Sequence, residues 1–169
     1  MEKEKRIDLK TVRRRERTAA FYVLFAWNFS PEQELETLSS IMLESGLLTD
    51  DPRKEEPSEA DAGTVPSPAL LDDFSRALIG LVSEKLPELD DEIAPCLKGW
   101  RLGRLSRAAL TVLRISCAEL KYRPDVPTSV SINEAVELCK TYAAQEDARF
   151  INGVLRTLSK KLRPEEYQA

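Results

Sequence analysis

Arg13, Arg14, Arg15 and Arg17 fall within five consecutive positions and run, with no glycine or proline between, into the apolar stretch Ala19-Ala20-Phe21-Tyr22-Val23-Leu24-Phe25-Ala26-Trp27. A guanidinium group carries a permanent charge and a planar fork of donors that fits phosphate oxygens. The chemistry offered by this cluster is therefore recognition of phosphate rather than bond making. The unbroken junction places the arginines in the first turns of a helix whose later turns enter a core. That end of a helix is already partly positive, so each cation there costs about a few tenths of a kcal/mol. A polyanion would offset the cost, and a phosphate backbone is the natural candidate. Phe21 and Phe25 are expected in the core. Tyr22 lies roughly 100° away from Phe21 on the helical wheel and is expected to stay partly exposed, where it can stack on an unpaired base.

A second basic group comprises Lys140, Arg149, Arg156, Lys160, Lys161 and Arg163. Arg149, Arg156 and Lys160 are spaced by seven and four and share one helical face, which read alone is an ordinary solvated stripe. Acid/base and nucleophilic chemistry find little support. Histidine is absent, which removes imidazole catalysis and most zinc sites. Cys96, Cys117 and Cys139 are odd in number and far apart, so disulfides and CxxC metal sites are not expected and buried thiols are. Asp72-Asp73 and Asp90-Asp91 suit helix starts and turns. There is no Walker motif, no GxGxxG and no GxSxG. No catalytic site, metal or cofactor is expected.

The elements that must position these residues are helical. The chain has 169 residues, 42% hydrophobic and 32% charged, which suits one globular domain. No apolar run reaches membrane-spanning length and the N-terminus lacks a signal-peptide core, so a cytoplasmic protein is expected. The net charge of −4 hides an uneven distribution: residues 49–67 hold six acids and two bases, whereas residues 1–17 hold eight bases and four acids. A first helix is expected over about 10–28. Ser30-Pro31-Glu32-Gln33 reads as the capped start of a second, with Gly46 as its stop. Residues 49–67 read as an exposed acidic loop. Ser67-Pro68 is expected to restart a helix that Pro87 interrupts, followed by a short helix over 88–97. Gly99 and Gly103 bracket a turn around Trp100. Further helices are expected over about 105–122, from a capping box at Ser131-Ile132-Asn133-Glu134 (with Val130 and Ala135 as its hydrophobic staple) to about Ala144, and over 146–162. Because apolar spacing continues through Asn152-Gly153, Gly153 reads as a point of close helix–helix approach. The fold class is all-α, about seven helices.

RRRERTAAFYVLFAW (13–27), LTVLRISCAEL (110–120) and DVPTSVSINEAVELCKTYAAQEDARFINGVL (125–155) resemble the NusB transcription antitermination factors. The last stretch is close to a family signature, with INEAVEL on one helix and F-[IV]-N-G-V-L on the next. The resemblance covers both ends and the middle and leaves out 47–70. It implies a single NusB-like RNA-binding domain over 1–169, with two packed helical subdomains at about 10–86 (carrying the loop 49–67) and 88–162. It also implies a non-enzymatic adaptor that pairs with NusE, a small-subunit ribosomal protein, binds single-stranded boxA RNA and joins the RNA polymerase antitermination complex on ribosomal RNA operons. Carried over by position, RNA contacts are expected from Arg13, Arg14, Arg15 and Arg17, with Lys140, Glu146 and Arg149 at the last helix–helix turn. A NusE-facing surface is expected at Arg107, Arg114, Glu119 and Tyr122, with a structural ion pair as the alternative for Arg114. The acidic 49–67 loop and the acidic start Gln145-Glu146-Asp147 depart from the pattern. Two other readings stay open: a protein-only interaction module or homodimer, and a stand-alone relative of the RNA-binding part of an RNA cytosine methyltransferase. For the latter, 169 residues offer no room for a cofactor-binding sheet.

Overall fold

The computed structural model describes residues 8–54 and 69–167. It contains seven α-helices among the described residues: α1 Leu9–Phe29, α2 Leu35–Glu44, α3 Asp73–Glu84, α4 Leu86–Ile93, α5 Arg107–Tyr122, α6 Thr128–Tyr142 and α7 Gln145–Leu162. Two two-residue strands, β1 (Leu48–Thr49) and β2 (Ala69–Leu70), pair in parallel, with Leu48 opposite Ala69. The chain divides into two compact units, one up to Ala77 and one from Leu78, so the division falls inside α3.

In the first unit, Asp8 caps α1 by accepting from the Lys10 amide at 3.2 Å. The face Ala19, Ala20, Phe21, Val23 and Leu24 is buried and packs on β2 and α2. Ser30 closes α1 instead of opening α2: its amide donates to the Trp27 carbonyl. The Gln33 amide returns to the Ser30 carbonyl in a turn, and α2 starts at Leu35 without a side-chain cap. A proline at position 31 satisfies a turn as readily as a helical N1. Ser67 and Pro68 lie outside the described residues. Helix α3 starts later than expected, at Asp73. Asp72 Oδ1 accepts from the Phe74 and Ser75 amides while Ser75 Oγ accepts from the Asp72 amide, a reciprocal cap. The strand residues Ala69 and Leu70 escaped the sequence reading because two residues carry no alternation.

In the second unit, α5 is the centre: Ala108, Val112, Leu113, Ile115, Cys117, Ala118 and Leu120 are all buried, against α4, α6 and α7. Pro87 sits in the first turn of α4, where a missing amide hydrogen is harmless. Lys98 and Gly99 are left-handed, at φ 47° and 92°, and turn the chain into the exposed Trp100. Helix α6 begins at Thr128, after Pro127 as N-cap. Ser131 therefore lies inside the helix, buried, with its hydroxyl 2.9 Å from Ser116 Oγ. The expected capping box is not formed, and Val130 is exposed rather than stapled. Gly153 is exposed, and a Cβ there would meet nothing within 4 Å. It is not a close-approach point.

Candidate nucleic-acid interface

Helix α1 begins at Leu9, which puts Arg13 at its fifth position. The arginines thus occupy the second and third turns, where the helix dipole has largely faded, and the expected electrostatic cost does not arise there. Their side chains diverge. Arg17 is 4% exposed, its guanidinium carbon 5.3 Å from the Phe74 ring centroid. Arg13 lies over the same ring at 4.2 Å, a cation–π geometry, and donates to Glu16 Oε2 at 2.7 Å. Arg14 is exposed. Arg15 donates to the carbonyls of Pro52 and Lys54 at 3.1 and 2.9 Å, which ties the start of the acidic segment to the motif. Tyr22 is half-buried, its ring 6.3 Å from that of Phe21. Phe74 organises the pair Arg13 and Arg17, a role that nothing in its sequence context announced.

Glu16, inside the arginine motif, is buried at 2% exposure. Burial, with a hydrogen bond to Asp72, outweighs the Arg13 partner and pushes its carboxyl up to about 7. A fixed negative charge is thereby softened in the middle of the basic cluster.

In the second unit, Lys140 is exposed at the last turn of α6 and reaches Glu137 at 3.5 Å. Glu146 and Arg149 are exposed on the first two turns of α7. The residues expected to face a protein partner behave differently. Arg114 forms a bidentate pair with Asp90, both contacts 2.8 Å, as the structural alternative had it. Glu119 is 2% exposed. Tyr122 donates a short hydrogen bond to Glu88. Only Arg107, at the start of α5, is exposed.

Around them runs a network in which Lys121 reaches Glu88 and Glu92 at 2.7 and 2.8 Å, and Lys161 reaches Glu92 at 2.8 Å. Lys161 is therefore a structural ion-pair partner. Arg163, from the same basic group, is 5% exposed. It donates to the carbonyls of Glu119, Leu120, Arg123 and Val126 at 3.1, 2.9, 2.8 and 2.7 Å. Pro124 has no amide hydrogen to offer the Leu120 carbonyl, and Arg163 supplies it. A proline four residues beyond a helical carbonyl was the available signal, though it does not say which donor answers.

No catalytic constellation accompanies these groups among the described residues. The three cysteines are buried, and burial pushes Cys117 and Cys139 up to about 12, far from thiolate reactivity. No group of three metal-ligating side chains is present among the described residues, and no described helix is long and apolar enough to cross a membrane.

The chain matches the NusB family over residues 14–160. It is 40% identical over 139 residues to the transcription antitermination protein NusB of Carboxydothermus hydrogenoformans, covering 82% of this chain and 86% of that one. It is 35% identical over 143 residues to that of Clostridium botulinum strain Loch Maree, covering 85% and 96%. Among solved structures, T. maritima NusB superposes with a TM-score of 0.70 at 30% identity, over 93% of this chain and 97% of the other. A complex of the antitermination factors NusB and NusE with double-stranded RNA gives 0.67 at 21% identity, over 89% and 98%, a likeness of fold. A family match from Arg14 to Lys160, on a fold that superposes on a solved NusB structure, leaves one assignment: the chain belongs to the NusB family.

Proposed function

We propose that this protein is an RNA-binding transcription antitermination factor that acts in the cytoplasm with the NusE ribosomal protein, on the boxA element of nascent RNA, as part of an RNA polymerase complex on ribosomal RNA operons. The observation that carries the reading is the ordered α1 surface, where Arg13 and Arg14 are exposed and Arg15 is half-buried on a helix anchored by the buried face below it. Arg17 acts from beneath, packing with Arg13 on Phe74. The NusB names of the sequence relatives and the NusB–NusE–RNA composition of a structural neighbour support the assignment. The protein contributes binding and not a reaction. Phosphate contacts supply affinity, while stacking and base-edge contacts supply preference. On the second unit, Lys140 and Arg149 offer an RNA-binding surface of their own, with Glu146, one turn before Arg149, limiting it electrostatically. On this reading the NusE surface lies around the exposed Arg107, with Arg114, Glu119 and Tyr122 shaping α5 from within.

The test is a titration of single-stranded boxA RNA at two salt concentrations, with and without NusE. For single strands, log K falls by roughly 0.7 per phosphate neutralised for each decade of salt, so three arginines give a slope of about −2. Arg14→Glu lowers affinity at low salt and flattens that slope, while Arg17→Glu lowers it through loss of folding. Salt-independent binding, or no tightening with NusE, would sink the proposal.

A further inference from the structure

The second unit contains a cavity of about 430 Å³ bounded by the start of α6, the second half of α7 and the 3₁₀ turn Pro164–Tyr167. Its chemistry is unusually consistent. Arg156 and Lys160 line it one helical turn apart. Neither has a carboxylate within ion-pair distance among the described residues. Like charges at this spacing oppose the helix by about 0.2–0.5 kcal/mol. The dipole of α7 favours Lys160 in its last turn, but its effect does not reach Arg156. The one acid at the rim, Glu166, is already engaged: the Thr128 hydroxyl, and then Arg163, hold its carboxyl below the usual range. The cavity is thus cationic with nothing inside to balance it.

Two further features narrow the ligand. Tyr167 is 45% exposed, yet its phenol oxygen lies 2.7 Å from Ser159 Oγ, so the ring is held in place at the cavity edge, with Lys160 Nζ 5.9 Å from its centroid. Asn133 and Asn152 line the wall, and their carboxamides have no hydrogen-bond partner among the described residues. A carboxamide carries both donors and an acceptor and can pair with a base edge. Two cations, a fixed aromatic face and two open carboxamides answer to the phosphate, the flat face and the edge of a nucleotide. Inorganic phosphate would leave the ring and the amides unused.

We propose that this cavity takes one nucleotide, its phosphate on Arg156 and Lys160, its base against the Tyr167 ring and its edge read by Asn133 or Asn152. In the form supplied by an RNA strand, the proposal rests on the RNA-binding reading above. A free nucleoside monophosphate presents the same chemistry. Tyr167 and Glu166, two of the ten residues that line the cavity, lie beyond the stretch that matches the family, residues 14–160.

The test follows the amide resonances of Ser129, Asn133 and Asn152 in the full chain, titrated separately with a short single-stranded oligoribonucleotide, 5′-AMP, adenosine and inorganic phosphate. The expected result is a saturable shift with the oligoribonucleotide and with 5′-AMP, weak or absent with adenosine and phosphate. In the double variant Arg156→Gln/Lys160→Gln the shift disappears and affinity for the oligoribonucleotide falls about tenfold, at an unchanged urea midpoint. Asn152→Ala serves as the second variant should the first not fold, and is expected to weaken the 5′-AMP shift. If the oligoribonucleotide binds but leaves these resonances unmoved, the cavity proposal is overturned and the antitermination reading stands. If it does not bind at all, that reading falls, and 5′-AMP alone decides the cavity: a shift supports it and none overturns it. Equal affinity for phosphate and 5′-AMP would also overturn it, leaving a simple anion site.

Discussion

Replacing Arg163 by methionine keeps an unbranched side chain of similar reach and removes five donors. Four backbone carbonyls receive them in the native protein, together with the Thr128 hydroxyl at 3.3 Å and the part-exposed Glu166 carboxylate at 3.2 Å. Two have a second donor: Glu119 also accepts from the Arg123 amide at 2.9 Å, and Arg123 from the Val126 amide at 3.0 Å. The Leu120 carbonyl has none, since Pro124 stands where the next helical donor should be, and the Val126 carbonyl has none among the described residues. Two buried acceptors thus lose their partner, at about 1–3 kcal/mol each. The C-terminus of α5 also loses a cation that its dipole favours, worth about 0.3–1 kcal/mol. Desolvating a guanidinium is itself costly, and its removal returns part of the loss. The net expectation is destabilisation by about 3 kcal/mol. Urea unfolding followed by far-UV circular dichroism measures it, with the midpoint falling and the slope unchanged. Arg163→Lys retains the charge but loses the fork, so it is expected to fall between the two. A loss below about 1 kcal/mol for the methionine variant, or no difference between methionine and lysine, would refute the account of Arg163 as the donor that Pro124 withholds.

Glu16→Gln tests the softened charge in the basic cluster. The folded carboxyl titrates at about 7 against an ordinary value of 4.5, so the folded state holds a proton that the unfolded chain has lost between those limits. Its contribution is full below about pH 4.5, fades as pH rises to 7 and stays lost above. Glutamine is therefore expected to be close to neutral at pH 4.5 and stabilising by on the order of 1–3 kcal/mol at pH 8; a difference in melting temperature that does not grow with pH contradicts this. Gly153→Ala is expected to stabilise α7 by about 0.5–1 kcal/mol, because the added methyl meets no neighbour. A loss in the same melting experiment would show that a close contact had been missed.

Helix spacing, and the residues that must be buried for a helix to pack, were legible in the sequence. Leu110, Leu113, Cys117 and Leu120 repeat at helical intervals, and three of the four are fully buried on α5. Helix ends were less legible, because the same residues serve two purposes. Ser30 closes one helix although it resembles the start of another, and Ser131 spends its hydroxyl on Ser116 across α5 instead of on a cap. What charged residues touch was hardly legible at all. Arg163 and Lys161 share a composition with Arg149 and Arg156, yet the first pair is committed to the fold and the second faces outward. The difference lies in partners from distant parts of the chain, such as the carbonyls of the 119–126 turn and Glu92, which no local pattern encodes. The arginines of α1 divide in the same way: Arg17 is buried against Phe74 and Arg14, its neighbour one turn back, is exposed.

The two-residue parallel pairing of β1 with β2 has a consequence for how this family can change. Leu71 donates to the Thr49 carbonyl at 2.8 Å and Ala69 to the Leu47 carbonyl at 3.1 Å, so the chain is stapled on both sides of residues 50–68, and the staple lies under α1. Whatever is added between the staples is closed by hydrogen bonds already made, and doubling its length adds only about 0.6 kcal/mol of closure entropy. Beyond Lys54, whose carbonyl Arg15 holds, the connection is a place where lineages, or an engineer attaching a fluorophore, can insert sequence without breaking that pairing.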